Sequence, residues 1–519
     1  MKDKTSATNQ NNLIFYFSIF LGLVLVLFTT PFLHYPYDIY AHLISIDEIY
    51  NNENKITTSI QSKRLSWHHF WAQLFYYMDL DSTQMFLRAK IIHILQMYVA
   101  LFSIYYFSKV VIRNIFKNIS KITLKWLSVW STIIWITIFA TFSGYYHQTW
   151  IMWYSVNYQI TLPLFWYITA LTLVLLLEKI SWKVKLFFVL QIVLLSRLML
   201  QIHSMEFLYY LMHIGIFYFV FIDKTYLVLK KYFYIIIPIL LSTIYMSKYY
   251  FSDTSKIFNY LSFDKLPSLY NKIMQQGLFL LNGHNRALAS VNELMYFILF
   301  LGIIFILFLL WNQYKDNKDT IIRFRILLYL LITSMFILIP LFQHTGGLFS
   351  VITRMNVVNR FYYSSSLFVL IPVFTYYIFQ KYRLRYINLF ILSSLVLVTV
   401  FSKHSDRLHH NYYKNIQSIK NSFSEKKVGF NLSSKQIKDI ENILKKYEKK
   451  NTTGLPIYYY ARADIAFVIK YIYKKNVYWK SRRINPDYVK IYKDNKDNKS
   501  YYQVLFKIPE GFPPYNPYM

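Results

Sequence analysis

The sequence predicts a mainly α-helical, polytopic membrane protein: a transmembrane bundle of about eleven spans with a long first outer loop, followed by a small α/β soluble domain. Three observations lead there. Hydrophobic residues fill 55% of 519 positions and aromatic residues 20%, more apolar surface than an ordinary soluble domain carries. Several apolar runs approach the twenty or so residues that cross roughly 30 Å of hydrocarbon. Between those runs, Lys and Arg fall on alternate loops, the pattern that sets orientation in a bilayer.

In chain order the spans fall at roughly 13–33, 91–109, 126–143, 160–177, 186–203, 206–222, 232–250, 294–312, 326–342, 363–379 and 388–402. The first run is long for the core of a secretory signal and lacks a small-residue cleavage site, so it reads as a retained helix. With the N-terminus cytoplasmic, the inner segments hold Lys109, Arg113, Lys117, Lys121 and Lys125, then Lys179, Lys183 and Lys185, then Lys315, Lys318, Arg323 and Arg325. The short outer segment 144–159 holds no basic residue. An odd number of spans sends the C-terminus outside. Residues 403–519 contain 24 Lys and Arg against 10 Asp and Glu. The inward bias is counted over short loops, however, and long domains translocate largely regardless of charge. The expected division is a transmembrane domain over 1–402 and a soluble domain over 403–519 on the outer face of the inner membrane.

The tail reads as folded. SSKQIKDIENILKKYEKK is a capped amphipathic helix starting at Ser433 or Ser434. GLPIYYYA reads as a strand, RADIAFVIKYIYKK as a helix, and NVYW and YYQVLFKI as strands. There is no cysteine, which excludes disulfides and Cys-ligated metals. No GxxxxGK[ST] loop and no HExxH occurs, against nucleotide triphosphate hydrolysis and zinc proteolysis. The net charge of +32 is accounted for by basic inner loops and gives no reason to invoke nucleic acid.

Residues 31–50, PFLHYPYDIYAHLISIDEIY, set Asp38, His42, Asp47 and Glu48 within eleven positions just after the first apolar run. In a helix over 37–50, Asp38, His42 and Ser45 share one face, while Asp47 and Glu48 point elsewhere. The same loop continues with KRLSWHHFWAQLFYYM, an aromatic, amphipathic segment suited to the membrane surface. A second outer segment, 343–362, presents His344, the Gly346-Gly347 joint, Arg354 and Arg360 between two spans. Arginine is a bidentate partner for phosphate. Arg64, Arg88 and Lys90 are further cationic candidates in the first loop. Arg197, His203 and Glu206 lie in or at the edge of two spans, where charge is costly and marks function by default. A structural pair between Arg197 and Glu206 is the alternative.

A helix crossing outward, an acidic residue a few positions later and a long first outer loop with surface helices resemble the GT-C superfamily of membrane glycosyltransferases. Asp38 matches the first-loop acid of that family, and Asp47-Glu48 resembles the Asp-Glu pair of some members, though deeper in the loop. The resemblance spans the layout of about 400 residues. It implies transfer of a sugar from a polyprenyl-phosphate donor to a glycan, lipid or protein acceptor on the outer face, with no resident cofactor other than, in some members, a divalent metal.

Glycosyl transfer needs a base for the acceptor's proton and cations for the departing phosphate. Partial desolvation raises a carboxylate's pKa toward working pH, which suits Asp38 to the first task; the bland reading is a solvated carboxylate favoured by the following helix's dipole. His42 would assist or join Asp38 on a divalent metal. Arg354, Arg360, His344 and Arg64 would meet the donor phosphate, or arginines there would simply snorkel to lipid. Two other functions stay open: an arginine-centred O-antigen polymerase or ligase, in which Asp38 is dispensable, and a carrier or flippase for lipid-linked sugars.

Overall fold

The computed structural model describes residues 37–51, 65–116, 118–135, 158–202, 204–223, 300–308, 321–336, 364–382, 434–480 and 502–505, with short pieces at 225–226, 230, 264, 267–268, 338, 344–345 and 348. The fold is mainly helical. The chain divides into two compact units. One comprises Leu27–Val99, Gln148–Ile160 and Asp406–Met519; the other comprises Met1–Val26, Ala100–His147 and Thr161–Ser405.

The first of these units joins the loop after the first apolar run to the C-terminal tail. Its elements are α1 (Tyr37–Tyr50), α2 (Leu65–Tyr77), a 3-10 turn at Ser82–Gln84 and the start of α3 (Met85–Ile115), with α10 (Ser434–Lys450), β1 (Ile457–Arg462), α11 (Ala463–Tyr471), β2 (Val477–Lys480) and β3 (Tyr502–Leu505) from the tail. The three strands are all parallel, in the order β2-β1-β3. Tyr459 lies opposite Val477 on one side and Val504 on the other. A β1–α11–β2 crossover covers one face, as parallel neighbours require. The expected helix over 462–475 stops at Tyr471 because the chain turns at Lys474, which takes a left-handed φ of 52°.

Packing in this unit is layered: α11 lies against β1 and β2, α1 lies against α11, and α2 lies against α1. The consequence is visible along both central helices. Every described side chain of α11 from Ile465 to Ile469 is buried, as is every one of α1 from His42 to Glu48. A helix apolar on all sides belongs in a core, and Ile465-Ala466-Phe467-Val468-Ile469 qualifies. Helix α1 does not, since it takes polar groups into the same core.

The other unit is built from apolar helices: the rest of α3, α4 (Lys121–Ile134), α5 (Tyr158–Leu177), α6 (Trp182–Ile202), α7 (Ser204–Val220), α8 (Ile321–Ser334) and α9 (Leu367–Tyr382). Ser120 caps α4, its hydroxyl accepting from the Thr123 N–H at 3.1 Å. Among the described residues two stretches are long and apolar enough to cross a membrane, Ile160–Leu177 and Trp182–Ile202, with Glu206–Val220 a shorter apolar helix. The α6 helix exposes Leu186, Phe187, Leu190 and Leu194. Gly302 permits close approach of the 300–308 helix to α9: a Cβ there would meet Leu367 Cδ1 at 3.0 Å. The expected spans at 13–33, 232–250 and 388–402 lie outside the described residues.

Candidate functional site

Helix α1 forms over the range its pattern predicts, and the face that carries Asp47 and Glu48 is buried. Asp47 is 0% exposed and Glu48 8%, with α2 and α11 both packed on α1.

Asp47 is the centre of the polar core. Its Oδ1 accepts from Arg88 Nη1 at 2.7 Å and from Ser82 Oγ at 2.6 Å. Its Oδ2 accepts from the Tyr471 hydroxyl at 2.8 Å and from Asn51 Nδ2 at 3.3 Å. Lys470 Nζ stands 3.8 Å from Oδ2. Four donors therefore occupy the two carboxylate oxygens, and they come from the turn residue just past α1, the 3-10 turn, α3 and α11. Asn51 Nδ2 also reaches Ser82 Oγ at 3.1 Å, tying the end of α1 to the turn. With its lone pairs committed in this way, Asp47 holds four segments of the chain together.

Arg88, expected as a phosphate partner, is likewise committed. It is 0% exposed, and beyond Asp47 it donates from both Nε and Nη2 to the Leu80 carbonyl. Its guanidinium carbon sits 4.2 Å from the Tyr50 ring centroid and 5.3 Å from that of Phe75, so its faces are covered by aromatic rings. A cation desolvated this far is tolerable only because it is paired and hydrogen-bonded. The Tyr471 hydroxyl is held well above its usual pKa, first by burial and then by the negative charge of Asp47 and the bond to it, with Arg88 opposing.

His42 sits on the same helix. Its Nδ1 lies 2.9 Å from Nε2 of His68 on α2, and the rings stack at 5.1 Å. One nitrogen of that contact must be bare for the other to donate, so the two rings are not both imidazolium there. Trp67 sets its edge against both rings and donates from Nε1 to Gln96 Oε1 at 3.2 Å. Asp38 is the second residue of α1, one turn before His42. Relative to Asp47 it lies about half a revolution around the helix and roughly 13 Å along it. Among the described residues no group of three or more His, Asp or Glu side chains is arranged to hold a metal ion.

The remaining candidates fall apart from this cluster. Arg64, His203, Arg354 and Arg360 lie outside the described residues. His344 is exposed in a short helical piece. The expected Arg197–Glu206 pair does not form: Arg197 is exposed on α6, whereas Glu206 is buried in the first turn of α7 and accepts from Thr161 Oγ1 at 3.2 Å. Its place there is also favoured by the helix dipole.

A second polar centre, unforeseen in the sequence, lies in the helical unit. His213 of α7 is 0% exposed. Its Nε2 is 3.0 Å from the Ser364 carbonyl, an obligate acceptor, and its Nδ1 is 2.7 Å from the Tyr329 hydroxyl. The ring therefore carries its proton on Nε2 and accepts at Nδ1 from Tyr329. Phe165, Trp166, Phe217 and Phe336 enclose it. Beside it Thr333 and Ser366 share a hydroxyl contact. An ionisable residue in the middle of the predicted 206–222 span was the signal that could have drawn attention to it.

Neither protein-family profiles, nor curated proteins, nor solved structures match this chain.

Proposed function

We propose that the chain is a multi-pass membrane glycosyltransferase of the GT-C kind, moving a sugar from a polyprenyl-phosphate donor to an acceptor hydroxyl on the outer face. The single observation that carries this reading is α1. It folds as a helix just after the first apolar run with Asp38 as its second residue, and buried contacts further along anchor it against α2, α3 and the tail. An acid mounted on an anchored helix is what a positioned general base requires. In the transfer, the carboxylate of Asp38 takes the acceptor's hydroxyl proton, the acceptor oxygen bonds to the anomeric carbon, and the bond from that carbon to the phosphate oxygen breaks. The polyprenyl phosphate departs with the electron pair and the negative charge.

Further contacts favour the topology of about eleven spans. In the helical unit Arg113 pairs with Glu178, and Arg325 with Asp223, in each case joining two segments that charge alone assigns to the inner side. In the other unit α1 touches α11 of the tail, and segments in contact occupy the same side of a membrane. That favours an outer tail beside an outer first loop. Helix α6, with Leu186, Phe187 and Leu190 exposed, suits a lipid-facing span, since such surface is expensive in water. The outer face of α2 exposes Phe70, Tyr76 and Tyr77, and the helix contains no charged residue, which suits the headgroup layer.

The test is sugar transfer by membranes containing wild type or Asp38→Asn at matched expression. General-base loss should lower the rate about a hundredfold or more with the protein still inserted. Unchanged transfer overturns the role of Asp38 and favours the arginine-centred polymerase; absence of any covalent transfer in the wild type favours a carrier.

A further inference from the structure

We infer that the C-terminal module is the element that positions α1, and that Tyr471 is the positioning residue through which it acts on Asp47. This deepens the proposed function and rests on it only for its catalytic consequence; the mechanical link stands on contacts alone.

The link has two points. Near the start of α1, the Tyr40 ring meets Phe467 edge-on at 5.2 Å. Near its end, Asp47 Oδ2 accepts from Tyr471 at 2.8 Å. Between them lie His42 and two turns of helix, and Asp38 lies two residues before the first. So α11 braces the part of α1 that bears the candidate base. Phe467 and Tyr471 are themselves one turn apart with rings at 4.7 Å, making a single stiff edge on α11. Behind it the helix is fixed on the parallel sheet.

The remaining Asp47 donors cannot replace this brace. Arg88, Ser82 and Asn51 all lie within 41 residues of Asp47 and belong to the first loop and its exit. Tyr471 is 424 residues away. Among the described residues it is the one direct hydrogen bond to Asp47 that joins the first loop to the tail, with the Lys470 ammonium an ion-pair partner at 3.8 Å, beyond hydrogen-bond range. Without it α1 keeps its ties to α3 but loses the polar half of its seat on α11.

The experiment compares intact wild type with Tyr471→Phe in nanodiscs, by amide hydrogen exchange and by transfer kinetics. The variant keeps the ring against Phe467 and removes only the hydroxyl. Exchange over residues 37–50 should rise about tenfold, as expected for losing a hydrogen bond to a charged group, while exchange over 158–177 stays unchanged. Transfer should show a lower kcat at similar KM. As a second arm, Tyr471→Phe added to Asp47→Asn should change exchange little further, because the partner is already weakened. Unchanged exchange over 37–50 overturns the brace whatever the activity. Raised exchange with unchanged kcat, in a protein that Asp38→Asn inactivates, overturns positioning and leaves only stabilisation. Raised exchange in a protein indifferent to Asp38→Asn retains the brace and removes the proposed function instead.

Discussion

Arg88 and Asp47 meet at 2.7 Å with both side chains 0% exposed, and neither is isolated: the arginine has a carbonyl and two aromatic faces, and the carboxylate has three further donors. A buried ion pair seldom adds net stability over an apolar substitute, because desolvating both charges offsets their attraction. What it does impose is a penalty for separation. Pairing here fixes which part of α3 faces the end of α1.

The first prediction follows from that asymmetry. Arg88→Met strands a buried carboxylate, and Asp47→Leu strands a buried guanidinium, so each single change should cost about 3–5 kcal/mol. Made together, Asp47→Leu and Arg88→Met remove both charges and should cost much less than the sum. Thermal unfolding of the four proteins in detergent reads this directly. Additive losses would mean that the two charges do not depend on each other.

A second prediction concerns alkaline pH. The Tyr471 hydroxyl is held well above the ordinary value near 10. Below pH 10 both folded and unfolded chains keep the proton, and the contribution to stability is fully present. Above it the unfolded chain ionises first, and the contribution is lost as pH climbs toward the folded value. The wild type should therefore lose more stability between pH 9 and pH 11 than Tyr471→Phe does. Chemical denaturation at those two pH values measures the difference, and parallel losses would contradict the shift.

Much of this organisation was legible in the sequence, for reasons that also mark where legibility ends. Local pattern suffices for α1, α10, β1 and β2, because periodicity and capping are read over a few neighbours. The SSKQIKDI start became a helix from Ser434, and the IYYYA run became the central strand. What local pattern lacks is partnership. Arg88 looks like a phosphate ligand when read alone, and only the fold brings it to Asp47. In α1 the period only turns Asp47 away from the Asp38–His42 face, and it does not say that Tyr471 of α11, 424 residues on, meets it there. His42 was singled out for Asp38, one turn away, whereas its ring lies against His68 on another helix. Helical offsets rank neighbours within an element and are silent about the next one.

The third prediction tests the polar centre of the helical unit. His213 satisfies two groups at once, accepting from Tyr329 and donating to the Ser364 carbonyl. His213→Phe fills a similar volume in the surrounding aromatic box but leaves a buried hydroxyl and a buried carbonyl unpaired, at about 1–3 kcal/mol each. Tyr329→Phe removes one donor and leaves only the imidazole nitrogen short, so it should be milder. Adding Tyr329→Phe to His213→Phe eliminates the orphaned hydroxyl and should recover part of the loss, making the double variant more stable than His213→Phe alone. Unfolding midpoints give the order. A double variant at least as unstable as the sum of its parts would show that the imidazole does not depend on Tyr329, and that the network ties α7 to α8 by packing alone.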